Sequence, residues 1–85
     1  MSQNKYEIEV RAQCPVNPTD VDLYQFTIES QTIIEVEAIA RFFNEHAGDT
    51  KVFQEDLTIK AAVTLGAHVR SVGYHSGVKV TCEAP

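Results

Sequence analysis

Residues 5 to 12 alternate strictly, with Tyr6, Ile8, Val10 and Ala12 on one face and Lys5, Glu7, Glu9 and Arg11 on the other. A period of two is the side-chain repeat of a strand with one buried face, so a first strand is expected here. Cys14-Pro15-Val16-Asn17-Pro18-Thr19-Asp20 interrupts the pattern, and its prolines, Asn and Asp favour a loop over ladder bonding. Alternation resumes with Asp22, Tyr24, Phe26 and Ile28 against Leu23, Gln25, Thr27 and Glu29, which predicts a second strand antiparallel to the first. From Thr32 the period lengthens: Ile33, Val36, Ile39, Ala40 and Phe43 recur at helical spacing, Thr32 and Glu35 read as a capping box, and Gly48 follows the expected end at Ala47. Leu57 to Leu65 predicts a second helix, with Leu57, Ala61 and Leu65 on one stripe, Ile59 and Val63 nearby, and Gly66 placed as a C-terminal cap. In the tail, Val69 and Val72 precede the turn-like His75-Ser76-Gly77, after which Val78, Val80 and Cys82 alternate with Lys79, Thr81 and Glu83. This pattern fits a second hairpin or one long bent strand.

Strand, strand, helix, helix, strand, strand is an α+β order, ββααββ, with both helices expected on one face of a four-stranded antiparallel sheet. Lys5, Glu7, Glu9 and Arg11 with Lys79, Thr81 and Glu83 make the opposite face polar. The sheet edges are left to pair with another copy, and such a sheet closes into a barrel only by oligomerising, so a homo-oligomer is expected. The 85 residues suit a single domain, 1–85, with a thin core that neighbouring copies would reinforce. Hydrophobic residues at 44% and charged residues at 22% are those of an ordinary globular domain. Twelve acidic against seven basic side chains, net −5, give no electrostatic footprint for a phosphate backbone, so nucleic acid is not an expected partner. With no apolar run fit for a signal peptide or a membrane span, a cytoplasmic protein without membrane contact is expected. Cys14 and Cys82 are too few for a disulfide framework and are read as thiols.

Some residues carry possible chemistry. Cys14 follows a strand directly, with Asp20 and Asp22 close behind; a nucleophilic thiol needs exposure and an acid or base within reach, which a returning loop supplies. The same residues fit a small buried side chain at a strand end with two solvated aspartates, and the spacing leaves both readings open. Glu55, flanked by Gln54 and Asp56 before the second helical stripe, offers two acceptor oxygens to a heterocycle presenting adjacent N–H donors, or simply complements the helix N-terminus. His75 is an acid–base candidate in a turn, while His46 and His68 read as surface residues near helix ends. No His or Cys pair has close metal-ligand spacing, and the four scattered glycines form no phosphate loop.

The order of elements, with a Glu at the start of the second helix, resembles the tunnelling fold, or T-fold, of enzymes that bind purines and pterins. Within it, Ala12-Gln13-Cys14-Pro15-Val16 followed by Asp20 to Tyr24 is similar to the Cys-Pro-x-Thr-x-Gln-Pro-Asp-Phe loop of the cyano-deazaguanine (nitrile) reductases. Ile34-Glu35 and Phe53-Gln54-Glu55-Asp56 sit where that family has its Glu-Ser-Lys segment and its Phe-His-Glu. GTP cyclohydrolase I is similar over Ala38 to Thr58, through Phe42-Phe43 and Gln54-Glu55-x-Leu57-Thr58. The resemblance implies that Cys14 attacks a nitrile carbon to form a thioimide, that Asp20, in preference to Asp22, handles the proton, and that Glu55, with Gln54 beside it, binds the ring; His75 stays the acid–base candidate that its turn position suggests. Glu35 becomes the cofactor-binding candidate for NADPH, but Val36 and Glu37 follow it where the reductases have Ser and Lys. An amidinotransferase branch that lets ammonia attack the thioimide on transfer RNA dispenses with the dinucleotide. Against the cyclohydrolases, Cys14 is followed by Pro-Val-Asn instead of Glu-His-His, and Gly77 stands near where a second zinc cysteine is expected. Three readings follow: a thioimide-forming enzyme of deazaguanine metabolism, a pterin or purine enzyme of cyclohydrolase type, and a non-catalytic assembling domain. A half-barrel of this strand order is expected to place its binding site between copies, with Glu55 and Cys14 contributed by neighbouring chains.

Overall fold

Strand β1 (Asn4–Gln13) pairs antiparallel with β2 (Val21–Ser30), placing Tyr6 opposite Ile28, Ile8 opposite Phe26 and Val10 opposite Tyr24. The apolar sets of the two alternating segments therefore meet on one face, which is what fixes the register. The structure is a computed structural model describing residues 3–17, 19–48 and 50–85. Pro18, expected to help break the ladder, and the Met1-Ser2 start lie outside the described residues.

The tail forms a hairpin rather than a bent strand. Strands β3 (His68–His75) and β4 (Val78–Ala84) are joined by Ser76 and Gly77, whose φ angles of 52° and 81° are both positive. Two successive positive φ values define the turn whose twist matches that of paired strands. With β3 also paired to β2, the sheet order is β1-β2-β3-β4, antiparallel throughout.

Helices α1 (Val36–His46) and α2 (Gln54–Leu65) cover one face, giving the expected ββααββ arrangement. Phe26, fully buried at the sheet centre, packs at a tilt against Phe43 of α1 with ring centroids 4.7 Å apart, and Leu57 and Ala61 of α2 complete the layer. Burying a side chain such as Phe26 contributes ~1.5–3 kcal/mol. Among the described residues no helix is long and apolar enough to cross a membrane.

Both helix starts differ from the expected ones. Thr32 does not cap α1: its hydroxyl lies 3.0 Å from the Ser30 hydroxyl, β2 runs on to Ser30, and the helix begins at Val36 with Glu35 at the cap position and no side-chain cap bond. Ile33 consequently precedes the helix and is 84% exposed, Val36 is also exposed, and Phe42 joins Ile39 and Phe43 in the core. Helix α2 begins three positions before Leu57, at Gln54, because Gln54 is itself buried. Of its expected apolar positions, Leu57 and Ala61 are buried, whereas Ile59 and Val63 face outward. Gly66 closes α2 in the left-handed region, φ 62°, as its position suggests. Gly48, φ 68°, follows α1, and its N–H donates to the Arg11 carbonyl. The segment after it runs beside the end of β1: Gln13 donates to the Thr50 carbonyl and accepts from the Val52 N–H.

Gly73 of β3 lies opposite Tyr24, and the tyrosine ring crosses the space where a side chain would stand. A Cβ there would meet Tyr24 Cδ1 and Cε1, the latter at 2.8 Å. Gly73→Ala is therefore expected to destabilise the fold by ~1–3 kcal/mol, about 4–8 °C per kcal/mol in a domain of this size. Thermal unfolding of Gly73→Ala within a degree of the parent would show that the ring yields freely.

Candidate functional site

The two-residue periodicity puts Cys14, Asp22, Tyr24 and His75 on the same side of the sheet, since Asp22 pairs with Ala12 and Tyr24 with Gly73. At the end of that face the β1–β2 loop, the first turn of α2 and the β3–β4 hairpin surround a cleft of 240 Å³. Cys14, Asp22, Gln54, Glu55 and His75 all line it, with Pro15, Val16, Phe53 and Val80 as apolar walls. One chain thus brings both Cys14 and Glu55 to this cleft, which were expected to come from neighbouring copies.

The loop is held by its own polar groups. Cys14 N–H donates to the Asp20 carbonyl at 3.2 Å, continuing the β1–β2 ladder by one step, and Asp20 N–H donates to the Asn17 carbonyl at 2.9 Å. Asn17 Nδ2 donates to the Asp20 carboxylate at 3.0 Å, and Thr19 Oγ1 donates to Asn17 Oδ1 at 2.8 Å. Asn17 N–H points at Cys14 Sγ, 3.5 Å away, which sets a partial positive charge beside the sulfur. Asp20 thus braces the loop and is not among the residues that line the cleft, whereas Asp22 is. Glu35 stands at the start of α1, away from the cleft, and the structure does not bring it together with Cys14 or Glu55.

Gln54 forms the floor and is 1% exposed. Its Nε2 donates to Ser71 Oγ and to the Val80 carbonyl, each at 3.1 Å, which commits both amide hydrogens inside the protein. Its Oε1 lies 2.9 Å from His75 Nε2. On the other side of the imidazole, Nδ1 is 3.9 Å from Asp22 Oδ2, which accepts the Tyr24 hydroxyl hydrogen at 3.0 Å. Burial first, and then the Asp22 carboxylate that accepts its hydrogen, push the Tyr24 hydroxyl well above the ordinary tyrosine range. Tyr24 is thus a further residue of the cleft, and its parity with Asp22 places both on one face.

Glu55 and Asp56 occupy the first turn of α2, where carboxylates also complement the helix dipole, and Glu55 is exposed at the cleft mouth. Cys82 lies opposite Ser71 on the same sheet face. Its thiol is pushed up by burial and then by the Glu55 carboxylate, with the Ser71 hydroxyl opposing. The remaining histidines sit elsewhere: His46 packs on Phe42 with centroids 4.6 Å apart, and His68 begins β3 beside Glu83. Among the described residues no three of His, Cys, Asp and Glu come together as a metal site.

The sequence matches no family model and no curated protein sequence. Among solved structures the chain is similar to the crystal structure of the archaeosine synthase QueF-Like in the apo form, with a TM-score of 0.80 and 18% identity over 99% of this chain and 92% of that chain. At that identity the likeness speaks for the fold.

Because the folded state holds the Tyr24 proton more tightly than the unfolded chain, the stability this contributes is complete below about pH 10, the unperturbed tyrosine value, and is lost as pH rises above it. Denaturant titrations of Tyr24→Phe are expected to show a shallower alkaline loss than the parent above that pH. Equal slopes for the two proteins would assign the loss to other groups.

Proposed function

We propose that the cleft binds a planar heterocycle of the deazaguanine, purine or pterin class and that Cys14 adds to a nitrile carried by that ring. The observation that carries this reading is the meeting of Cys14, Asp22, His75 and Glu55 around one cleft with apolar walls. The fold shared with a protein named archaeosine synthase supports a deazaguanine-type ring as the occupant.

The chemistry follows from the residue types. Glu55 offers two acceptor oxygens to neighbouring ring N–H groups, while Phe53, Val16 and Val80 present apolar surface to the ring. The Cys14 sulfur forms a bond to the nitrile carbon as one of the carbon–nitrogen π bonds breaks, and the thiol hydrogen passes through Asp22 and His75 to the nitrile nitrogen. The product is a thioimide with every atom of both reactants, so this step requires no dinucleotide. A reduced thiol is needed, as in a cytoplasmic protein. The net charge of −5 favours a free base over a nucleic acid as substrate.

Assembly belongs to the same proposal. Strands β1 and β4 are the sheet edges, and copies joined edge to edge bring the polar face, with Glu7, Glu9, Arg11, Lys79 and Glu83, into a shared interior. The cleft volume is below the ~300–1,000 Å³ of sites that enclose a ligand, so a neighbouring copy at its mouth would complete the enclosure.

Incubation with cyano-deazaguanine is expected to raise the intact mass by that of one nitrile molecule with no loss of atoms. The adduct should persist in Cys82→Ala and vanish in Cys14→Ala, and Glu55→Gln should raise the ligand concentration needed about tenfold or more, as loss of a charged hydrogen bond does. No adduct at saturating nitrile, or one retained in Cys14→Ala, would overturn the assignment. Sedimentation is expected to give a species several times the chain mass; a monomer at micromolar concentration contradicts the shared interior.

A further inference from the structure

The hydrogen bonds beneath the cleft have a direction that can be worked out donor by donor. The Val80 backbone carbonyl can only accept, so the Gln54 amide atom facing it is Nε2, and the orientation of the whole amide follows. Thr58 Oγ1 donates its one hydrogen to the backbone carbonyl of Gln54, one helical turn before it, at 2.7 Å. The 2.7 Å contact between Thr58 and Ser71 must then be a donation from Ser71, whose oxygen in turn accepts from Gln54 Nε2. No hydrogen is left on the side of Gln54 that meets His75. There Oε1 presents an acceptor, and the 2.9 Å contact requires a hydrogen on His75 Nε2.

We propose that Gln54 is a positioning residue that holds neutral His75 as its Nε2–H tautomer, leaving Nδ1 as a bare base directed toward Asp22. Two acceptors compete for the single hydrogen of the neutral ring: Gln54 Oε1 within hydrogen-bond distance, and Asp22 Oδ2 at 3.9 Å, outside it and already holding the Tyr24 hydrogen. The nearer acceptor is immobile because its amide is fixed at both hydrogens in a buried network.

The tautomer decides where a proton in the cleft goes. Nδ1 is the one ring nitrogen with a free lone pair, and the imidazolium formed there donates to Gln54 on one side and faces the Asp22 carboxylate on the other. The other groups around the ring are Tyr24 of β2, which packs against it at 5.7 Å between centroids, the Cys14 loop, Glu55 at the cleft mouth, and Val78 opposite it on β4. For its part in catalysis the inference rests on the proposed thioimide chemistry: the Cys14 hydrogen is taken up at Nδ1 as the sulfur–carbon bond forms, and its delivery to the nitrile nitrogen returns His75 to the same neutral tautomer. In serine proteases the wrong tautomer of an oriented histidine costs about 10⁴ in rate.

The test is nitrogen-15 NMR of the His75 ring in the full chain without nitrile, so its outcome is independent of whether the nitrile adduct forms. In the neutral ring, Nε2 is expected to carry the hydrogen and Nδ1 to give the signal of an unprotonated nitrogen. In a folded Gln54→Met variant the neutral ring should change to Nδ1–H or to a mixture of tautomers. If the adduct forms in the parent, its rate should fall about tenfold or more in Gln54→Met, with an altered pH profile. A parent His75 with its hydrogen on Nδ1, or a folded Gln54→Met with an unchanged tautomer, would overturn the proposal. Should Gln54→Met not fold, the parent spectrum decides alone.

Discussion

The bond from Gln54 Nε2 to the Val80 carbonyl joins the first turn of α2 to β4, one of the two edge strands of the sheet. It fixes where α2 begins, since a buried glutamine at the first helical position must find partners for its amide. It brings Glu55, the next residue, to the mouth of the cleft. It also orients the oxygen against which His75 rests. Ser71 and Thr58 extend the same arrangement into the core, and among the described residues no buried side-chain polar atom lacks a partner. The helix layer, the sheet and the cleft therefore share one small buried polar network. Removing one member leaves the others buried without partners, which costs ~1–3 kcal/mol for each neutral group.

Shape and chemistry meet again at Tyr24. Its ring needs the space that Gly73 leaves open, its hydroxyl needs Asp22, and its face packs against His75. The aromatic body belongs to the core, whereas its polar tip belongs to the cleft. The site is in this sense an outcrop of the core, built on strands and a helix, with the β1–β2 loop laid over it. Cys14 is positioned by that loop's internal bonds and by one further step of the strand ladder.

How much of this was legible in the sequence depends on what each residue does with its polarity. Alternation in β1 and β2 marked the buried faces because there apolar meant inside, and the register of Ile8 with Phe26 follows from it. Glu55 and Asp56 mark the first turn of α2 by their charge, whereas Gln54, polar and buried, opens the helix three residues before its first apolar position and carries no apolar signal. The start of α1 was misplaced because Thr32 has capping chemistry, but its hydroxyl is engaged with Ser30 two residues before it. Cys14, Asp22, Gln54, Glu55 and His75 could be singled out by residue type, and the structure gathers them in one cleft; choosing Asp22 over Asp20 needed strand parity, since both lie close to Cys14 in sequence. Tyr24 gave no signal beyond an aromatic on a buried face.

Thr58 and Ser71 are hidden from solvent and do not line the cleft, yet Ser71 takes one of the two hydrogens of the Gln54 amide that the Val80 carbonyl orients, and Thr58 occupies the Ser71 hydroxyl on its other side. In a survey of substitutions scored by any property of the cleft, these two interior hydroxyls would behave like positions in direct contact with a ligand. An apolar replacement of Ser71 with matching shape, neutral by the measure of packing, would leave one Gln54 amide hydrogen without its partner.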